Sequence, residues 1–552
     1  MSETRMSSIT KIAGAVMAGL LAAAGCNGDD AGAHVLLDTD GGVKKADSGE
    51  KKADAGEKSS DAGEKSSDAG EKSSDAGEKS DGAQTHDSAA LCDKHLPAGF
   101  TQVLVSTGIV STLTGDATAR TQAMALDGDD DPMFAYASED SGSSWSIRFV
   151  RWDACTGRFA KPITVETLHP FTGAPDVSLA YDPVTQEVGI AYEKGVTNNG
   201  WADDCTETWL GTMKAPATEF TIQPLTNCLP HYDYYGTASP SIAMQKGTIA
   251  VAYEQGPYPG GNGPYVWLLT STAKASAPSD ALPPSLDGGA DAEDGASDAS
   301  DSGEAGDAGP PPPHFFTYRA VPYSGDQAGY GNGYLYPVFG SGVVSVAIDA
   351  NDVPAVAAYQ VLGTIDSYPK ELVYWSAETV GAVGVYGFAV DGSVDVSLAF
   401  DGTKPRIAGH MDSPGAAGSD SLAFFASADG VTWSSVVHLP DNDGSQDTAF
   451  TSALAIDGLG QAAVASDING GVGNGKSCGT NPYVATSPTD DGQGAWTACG
   501  ADKTGVHHYS SYSVSAFYGG TRAKGTLMVS FISGASNDAG ADQPGILYWL
   551  AP

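Results

Sequence analysis

Short apolar runs alternate with turn residues along most of the chain, and one phrase recurs. It reads AMALDGDDDPMFAYAS from Ala123, SLAYDPVTQEVGIAYE from Ser178 and SIAMQKGTIAVAYE from Ser241. It returns as SVAIDANDVPAVAAYQ from Ser345, SLAFDGTKPRIAGHM from Ser397 and ALAIDGLGQAAVASD from Ala453, with a degraded copy from Val514. Each copy is a small or apolar run, a turn often opened by Asp, then a second apolar run. Runs this short between turn residues predict a buried hairpin of strands rather than a helix. The central alanines are Ala125, Ala180, Ala243, Ala347, Ala399, Ala455 and Ala516. Most lie roughly 55 to 60 residues apart, room for four strands per unit, which is the pattern of a β-propeller.

The expected fold is therefore all-β, a seven-bladed β-propeller, or six-bladed if the weak final copy is discounted. Blade two predicts strands at 177–182, 188–193, 207–213 and 220–225; blade five predicts them at 396–401, 405–410, 421–427 and 432–438. The last copy has only three, at 512–517, 526–532 and 546–550, while an unassigned strand at 101–106 precedes the first copy. That N-terminal strand is expected to complete the last blade and close the ring, removing edges that would invite aggregation.

Two segments break the pattern. From Lys44 a seven-residue repeat (KKADSGE, KKADAGE, then KSSDAGE) carries no apolar residue but Ala, so it has no coiled-coil seam. Residues 26–90 are expected to be a disordered acidic tether. Residues 275–313, acidic, without a basic residue and closing in four prolines, are expected to be a disordered insert between strands three and four of blade three. The propeller is assigned to 91–552.

The first 25 residues supply an address. Arg5 and Lys11 precede an uncharged run that ends in Ala23-Ala24-Gly25-Cys26. A basic start, a short apolar stretch and small residues at a cut site make an export signal. Small residues before a cysteine resemble the bacterial lipobox, which implies lipidation of Cys26 and an anchor at the cell envelope or surface. Membrane contact is expected only through that lipid, and the protein is expected to be a monomer. The six other cysteines suit disulfides in an oxidising compartment, with Cys92–Cys155, Cys205–Cys228 and Cys478–Cys499 as the expected pairs, other pairings being open.

Composition narrows the partners. The 28 Lys and Arg face 68 Asp and Glu, a formal net charge of −40, which argues against nucleic acid and anionic lipid surfaces. No nucleotide-binding loop, nucleophile elbow or zinc motif is present in the sequence. No cofactor is expected. Calcium has two candidate loops, Asp127-Gly-Asp-Asp-Asp131 and the better one at Asp441, Asp443 and Asp447, although both also read as ordinary Asp/Gly turns.

Ser138-Glu-Asp-Ser-Gly-Ser-Ser-Trp145 fits the Asp-box pattern S-x-D-x-G-x-S/T-W, Ser427-Ala-Asp-Gly-Val-Thr-Trp433 is a shorter variant, and Thr489-Asp-Asp-Gly with Trp496 is a looser one. These turns resemble those of sialidase-like, Asp-box β-propellers. In that superfamily such boxes are structural turns between strands three and four, so the resemblance concerns fold. A sialidase site would need an arginine triad, a Tyr/Glu pair and an Asp acid/base. After the leader the chain has only Arg120, Arg148, Arg151, Arg158, Arg319, Arg406 and Arg522, and Arg406 is a poor stand-in for a triad member.

In a propeller the loops from strand four to the next strand one share a face with the loops between strands two and three. On that face the sequence places His169, then His231, Tyr232, Asp233 and Tyr235, then Tyr330, Tyr334 and Tyr336, then His507, His508 and Tyr509. Aromatic and imidazole groups in loops suit sugar rings or peptides, and these residues are the expected ligand surface. The ends of the second strands align as Ala137, Glu193, Glu254, Gln360, His410, Asp467 and Ile532. Glu193 and Glu254 on adjacent blades are candidates for a catalytic carboxylate pair. The leading expectation is a noncatalytic propeller that binds a carbohydrate or protein through this face. The alternatives are a glycan-active hydrolase or lyase using the mouth carboxylates, and an envelope scaffold.

Overall fold

A computed structural model of the chain describes residues 93–95, 101–104, 120–141, 144–168, 175–196, 205–226, 237–255, 265–272, 314–322, 344–361, 369–379, 382–389, 395–412, 420–439, 452–466, 480–502 apart from 488, 490 and 493, 510–520, 525–534 and 545–550. These residues form seven antiparallel sheets, and the fold is a seven-bladed β-propeller. Blade 2 has Val177–Asp182 innermost, then Glu187–Val196, Cys205–Lys214 and Thr221–Pro224. Blades 3 to 6 repeat this order, starting from Thr237–Gln245, Val344–Ile348, Val396–Asp401 and Ser452–Ile456. Blade 1, from Gln122–Leu126, is five-stranded because both Arg158–Phe159 and Ile163–Thr167 pair with Ser144–Asp153. In blade 7, which begins with Ser510–Tyr518, the outermost strand is Thr101–Leu104, antiparallel to Gly545–Leu550 with Thr101 opposite Trp549. In blade 3 the third strand, Tyr265–Thr272, pairs directly with the fourth, Thr317–Ala320, so the long insert leaves the sheet pairing intact.

The recurrent phrase has a simple physical reading. On the inner strand Val177 and Leu179 are buried between sheets, while Ser178 and Ala180 are half-buried and line the central channel. Blade 5 repeats this with Val396, Ser397, Leu398 and Ala399. Small side chains hold most of the inner-strand positions that face a channel of about 520 Å³. Second strands are covered on both faces, so Val188–Tyr192 and Ile249–Tyr253 are buried throughout and read as continuous apolar runs. The core consists of clusters between sheets: Ile190 and Val177 pack against Ile147 and Phe149, and Ala355, Ala357 and Tyr359 against Val396 and Ile407.

The channel serines also tie neighbouring blades together. Ile242 N–H donates to Ser178 Oγ at 3.1 Å, Val346 N–H to Ser241 Oγ at 3.0 Å, Leu398 N–H to Ser345 Oγ at 3.0 Å and Leu454 N–H to Ser397 Oγ at 3.0 Å. Met124 N–H of blade 1 donates to Ser515 Oγ of blade 7 at 3.2 Å. At the two remaining junctions the equivalent residues are Ala123 and Ala453. The serine register also corrects the alignment of blade 7. Phe517, 37% exposed, takes the channel-facing place that alanine takes elsewhere, and Ala516 turns into the blade.

Other expectations change on inspection of the turns. The hairpin at 138–145 joins strands two and three of blade 1, with Ser138 opposite Ser146, so it is not an Asp box despite its sequence. In blade 5 the fourth strand shortens to Val437–His438 because a true Asp box occupies the turn before it. There Ser427 Oγ accepts from Gly430 N at 2.8 Å, and Asp429 Oδ1 accepts from Val431 N and Thr432 N at 2.9 and 2.7 Å. Trp433 then meets the Tyr374 ring edge-on at 5.3 Å. Blade 6 builds the same kind of turn from Ser487 rather than Thr489: Ser487 Oγ accepts from Thr489 N, and Trp496 Nε1 donates to Gly492 O at 2.8 Å.

Candidate functional site

The strand register brings the first residues of the inner strands and the last residues of the second strands to one end of the channel. Glu193 lies across from Asp176, and Glu254 across from Ala238. In blade 4 the same register position is held by Tyr359, not Gln360, because the preceding turn is one residue shorter than in blade 2. His410 takes the position in blade 5, directly opposite Asp395. Four acids thus gather around the mouth: Asp176, Glu193, Glu254 and Asp395, with 3%, 8%, 1% and 0% of their surface exposed.

Each acid has a different set of partners. Glu193 accepts from Asp176 N at 3.3 Å through one oxygen and from Ser239 N at 3.1 Å through the other. Ser239 holds a left-handed φ of 54° at a bulge before Pro240, a strained conformation at the point where its N–H meets the carboxylate. Glu193 therefore staples blade 2 to blade 3. Tyr359 does an equivalent job one pair of blades on, donating its hydroxyl to Asp395 O at 3.2 Å. Glu254, at the same position in blade 3, has no hydrogen-bond partner among the described residues on either carboxylate oxygen. Burying a polar group without a partner costs about 1–3 kcal/mol, and more when it is charged.

Asp176 and Asp395 are joined by an arginine. Arg120 N donates to Asp176 Oδ1 at 2.5 Å, while the guanidinium donates to Asp395 Oδ1 and to Val396 O at 2.8 Å. Asp395 also accepts from Ser452 N. Arg120 precedes the inner strand of blade 1, and Asp395 that of blade 5; blades 2 to 4 lie between them on one side and blades 6 and 7 on the other. The arginine therefore reaches across the channel mouth as a strut. Arg406 does nothing of the kind: it donates to Pro405 O and Ser427 O beside the Asp box, at the other end of the blade.

Burial controls the electrostatics. Withdrawal from water pushes Asp176 up to about 7, against the pull of the Arg120 N–H and charge. Burial and then the Asp176 charge raise Glu193 well above the ordinary carboxylate range, and burial followed by Glu193 and Asp176 does the same to Glu254. Burial also raises Asp395, with Arg120 and Ser452 pulling it back. Carboxyls raised in this way keep their protons to higher pH than free ones do, the property a general acid needs.

The sequence pointed to Glu193 and Glu254 and missed Asp176, Asp395 and Arg120. A signal was present: Asp-Val-Ser-Leu-Ala occurs identically at 176–180 and 395–399, its Asp two residues before the recurrent phrase. His169, His231, Tyr232, Asp233, Tyr235, Tyr330, Tyr334, Tyr336, His507, His508 and Tyr509 lie outside the described residues, as do Cys26, Cys92, Asp441, Asp443 and Asp447. Cys155 is disulfide-bonded, and its neighbour Ala154 accepts from Lys94 N at 2.9 Å. The Asp127–Asp131 candidate is a structural turn: Asp127 Oδ1 accepts from Asp129 N and Asp131 N, Asp130 from Gly520 N, and Asp131 bonds His95 at 2.7 Å.

No protein-family model matches the chain, and no curated relative does. Solved structures with a similar fold include a Trypanosoma rangeli sialidase in complex with sialic acid, at 10% identity and TM-score 0.37, covering 68% of this chain and 53% of that one. The chain thus spans about half the length of that enzyme. An α-L-arabinofuranosidase from Fusarium graminearum, 10% identical, covers 82% of this chain and 98% of its own at a TM-score of 0.41. A polysaccharide lyase, 9% identical, covers 82% and 100% at 0.44. All three are glycan-active enzymes by name, and at these values the likeness concerns the propeller architecture alone.

Proposed function

We propose that the protein is a glycan-active enzyme working at the channel mouth, with Glu254 as its acid. The observation that carries this reading is a buried carboxyl with neither oxygen partnered, in a cluster of like-charged groups. Such a group keeps its proton at neutral pH and can give it to a leaving oxygen. In a hydrolytic step the Glu254 proton passes to the glycosidic oxygen as its bond to the anomeric carbon breaks. A water oxygen bonds that carbon, and its proton passes to ionised Asp176, whose affinity near neutrality suits the role. Glu193, with both oxygens committed to backbone N–H groups, positions the blades instead.

The test is turnover by the full chain on a panel of polysaccharides, read as new reducing ends. Glu254→Gln is expected to lower kcat by about a hundredfold or more, the usual worth of a general acid. Glu193→Gln should act mainly on stability. Absence of turnover by the unmodified protein across the panel, with glycan binding retained, would return the reading to a noncatalytic binder.

Three further assignments belong to the same proposal. The Thr101–Leu104 strand closes the ring, the leader exports the chain with Cys26 as the lipidated residue, and Cys92 partners Cys155. Deleting 101–104 should make the protein oligomerise through the freed edge of Gly545–Leu550. Mass spectrometry of the mature protein checks the other two.

A further inference from the structure

Among the described residues, one arginine, Arg120, stands at the mouth. The segments that join strands four to one and two to three contain Arg120, Lys476 and Lys503 as their only Arg or Lys residues, amid many aspartates. Lys194, at the end of the second strand of blade 2, is paired with Glu166 and lies 3.8 Å over the Trp209 ring. Arg120 lines the channel but spends its guanidinium on Asp395 and Val396 O. Asp395 is fully buried, so it cannot exchange this partner for water. Against this committed cation stands Glu254, 1% exposed and unpartnered on both oxygens, close enough to Glu193 and Asp176 to feel their charge.

Resting on the enzymatic reading above, we propose that the mouth takes neutral and amino-bearing glycans and rejects carboxylated ones, with Asp395 as the specificity-determining residue because it withholds Arg120 from the ligand. A sugar hydroxyl can donate to the Glu254 carbonyl oxygen and accept from its O–H, and an ammonium can be offset by ionised Asp176. A uronate or sialate carboxylate would meet ionised Asp176 and Asp395 and, among the described residues of the mouth, no disengaged guanidinium, and like-charge juxtaposition is an effective means of exclusion. Removing the Asp395 charge returns the Arg120 fork to the mouth, where it matches a carboxylate in bidentate geometry.

The test is binding of the full chain to a glycan array holding neutral, amino, uronic and sialylated oligosaccharides, followed by titration of the retained classes. Wild type should retain neutral and amino glycans at least tenfold more tightly than carboxylated ones of equal length. Asp395→Asn, which keeps an acceptor for Ser452 N, should raise affinity for carboxylated glycans severalfold, and Asp395→Ala further. Circular dichroism of each variant confirms the β-fold is kept. Equal or tighter binding of uronates or sialates by wild type overturns the inference. So does an unchanged order in both Asp395 variants, or failure to retain any glycan. Class-ordered binding without turnover would sink the catalytic reading alone.

Discussion

The two ends of the propeller put aspartates to opposite uses. At the end that carries the turns between strands one and two, carboxylates accept from N–H groups of their own turn or of the neighbouring blade's. Asp349 Oδ1 accepts from Asn351 N and Val353 N at 2.9 Å each, and Asp457 Oδ1 from Leu459 N and Gln461 N at 2.8 and 2.7 Å. Hydrogen bonds from Gly247, Thr185 and Val184 outweigh burial at Asp182 and hold it below its ordinary value; those of Thr432 and Val431 do so at Asp429. Asp127 is the exception, since burial there outweighs two backbone donors. At the mouth the balance reverses: burial is complete, donors are few, and the acids are pushed up. Residue type is the same at both ends. Depth of burial, weighed against the N–H groups that replace lost water, decides the outcome.

The largest expected effect breaks the mouth. Asp395→Ala removes the partner of Arg120 and the acceptor of Ser452 N, leaving a cation over a dry channel rim. Loss of about 3 kcal/mol or more is expected in urea unfolding, because one member of a buried pair is left alone. A loss under about 1 kcal/mol would mean that the strut is incidental.

The next is a pH effect of opposite sign at the two ends. Asp176 binds its proton more tightly folded than unfolded, so it stabilises the fold at acid pH. That contribution should fade as pH rises from the ordinary carboxylate range through about 7. The slope is bounded by about 1.4 kcal/mol per pH unit for each proton held. Thermal midpoints from pH 4 to pH 8 should therefore fall in wild type and fall less in Asp176→Asn. Asp182, held low, contributes the reverse: stability present above the unfolded carboxylate value and lost in stronger acid. Asp182→Asn should flatten the curve only at its acid end.

Between the two ends, the serine belt offers the smallest effects and a gain. Ser397→Ala removes the acceptor of Leu454 N and should cost about 1 kcal/mol in chemical unfolding. Ala123→Ser supplies an oxygen at a junction without one, within reach of Leu179 N by analogy with the other five, and should stabilise by a few tenths of a kcal/mol. If Ala123→Ser destabilised instead, the serines would be fillers of the channel rather than ties between blades.

How much of this the sequence could show depends on whether a property repeats. The blades were legible because Val177, Leu179, Val396 and Leu398 recur in one register, each set by the same crowding around the channel. The Asp box of blade 5 was legible for the same reason: Ser427 and Asp429 act within their own turn. The box-like sequence at 138–145 lies between strands two and three in the repeat register as it does in the sheet, so its spacing alone does not make an Asp box. Gln360 was misplaced by one residue because the turn before it is shorter than in blade 2, and Ala516 because Phe517 of the degraded copy holds the place of alanine elsewhere, details invisible until the strands pair. Arg120 and Asp395 act on each other across 275 positions, and no local pattern reports such a contact. That Glu254 goes without a partner while Glu193 has two depends on the backbone of the next blade, so the pair looked equivalent in the sequence.

Difference infrared spectroscopy at neutral pH tests the protonated mouth most directly, by comparing the full chain with its Glu254→Gln variant in the carboxyl region. The expected result is loss of one protonated carboxylic C=O band, with the carboxylate bands unchanged. Loss of a carboxylate band instead would show Glu254 ionised at neutral pH, and would contradict its role as the acid held in reserve at the channel mouth.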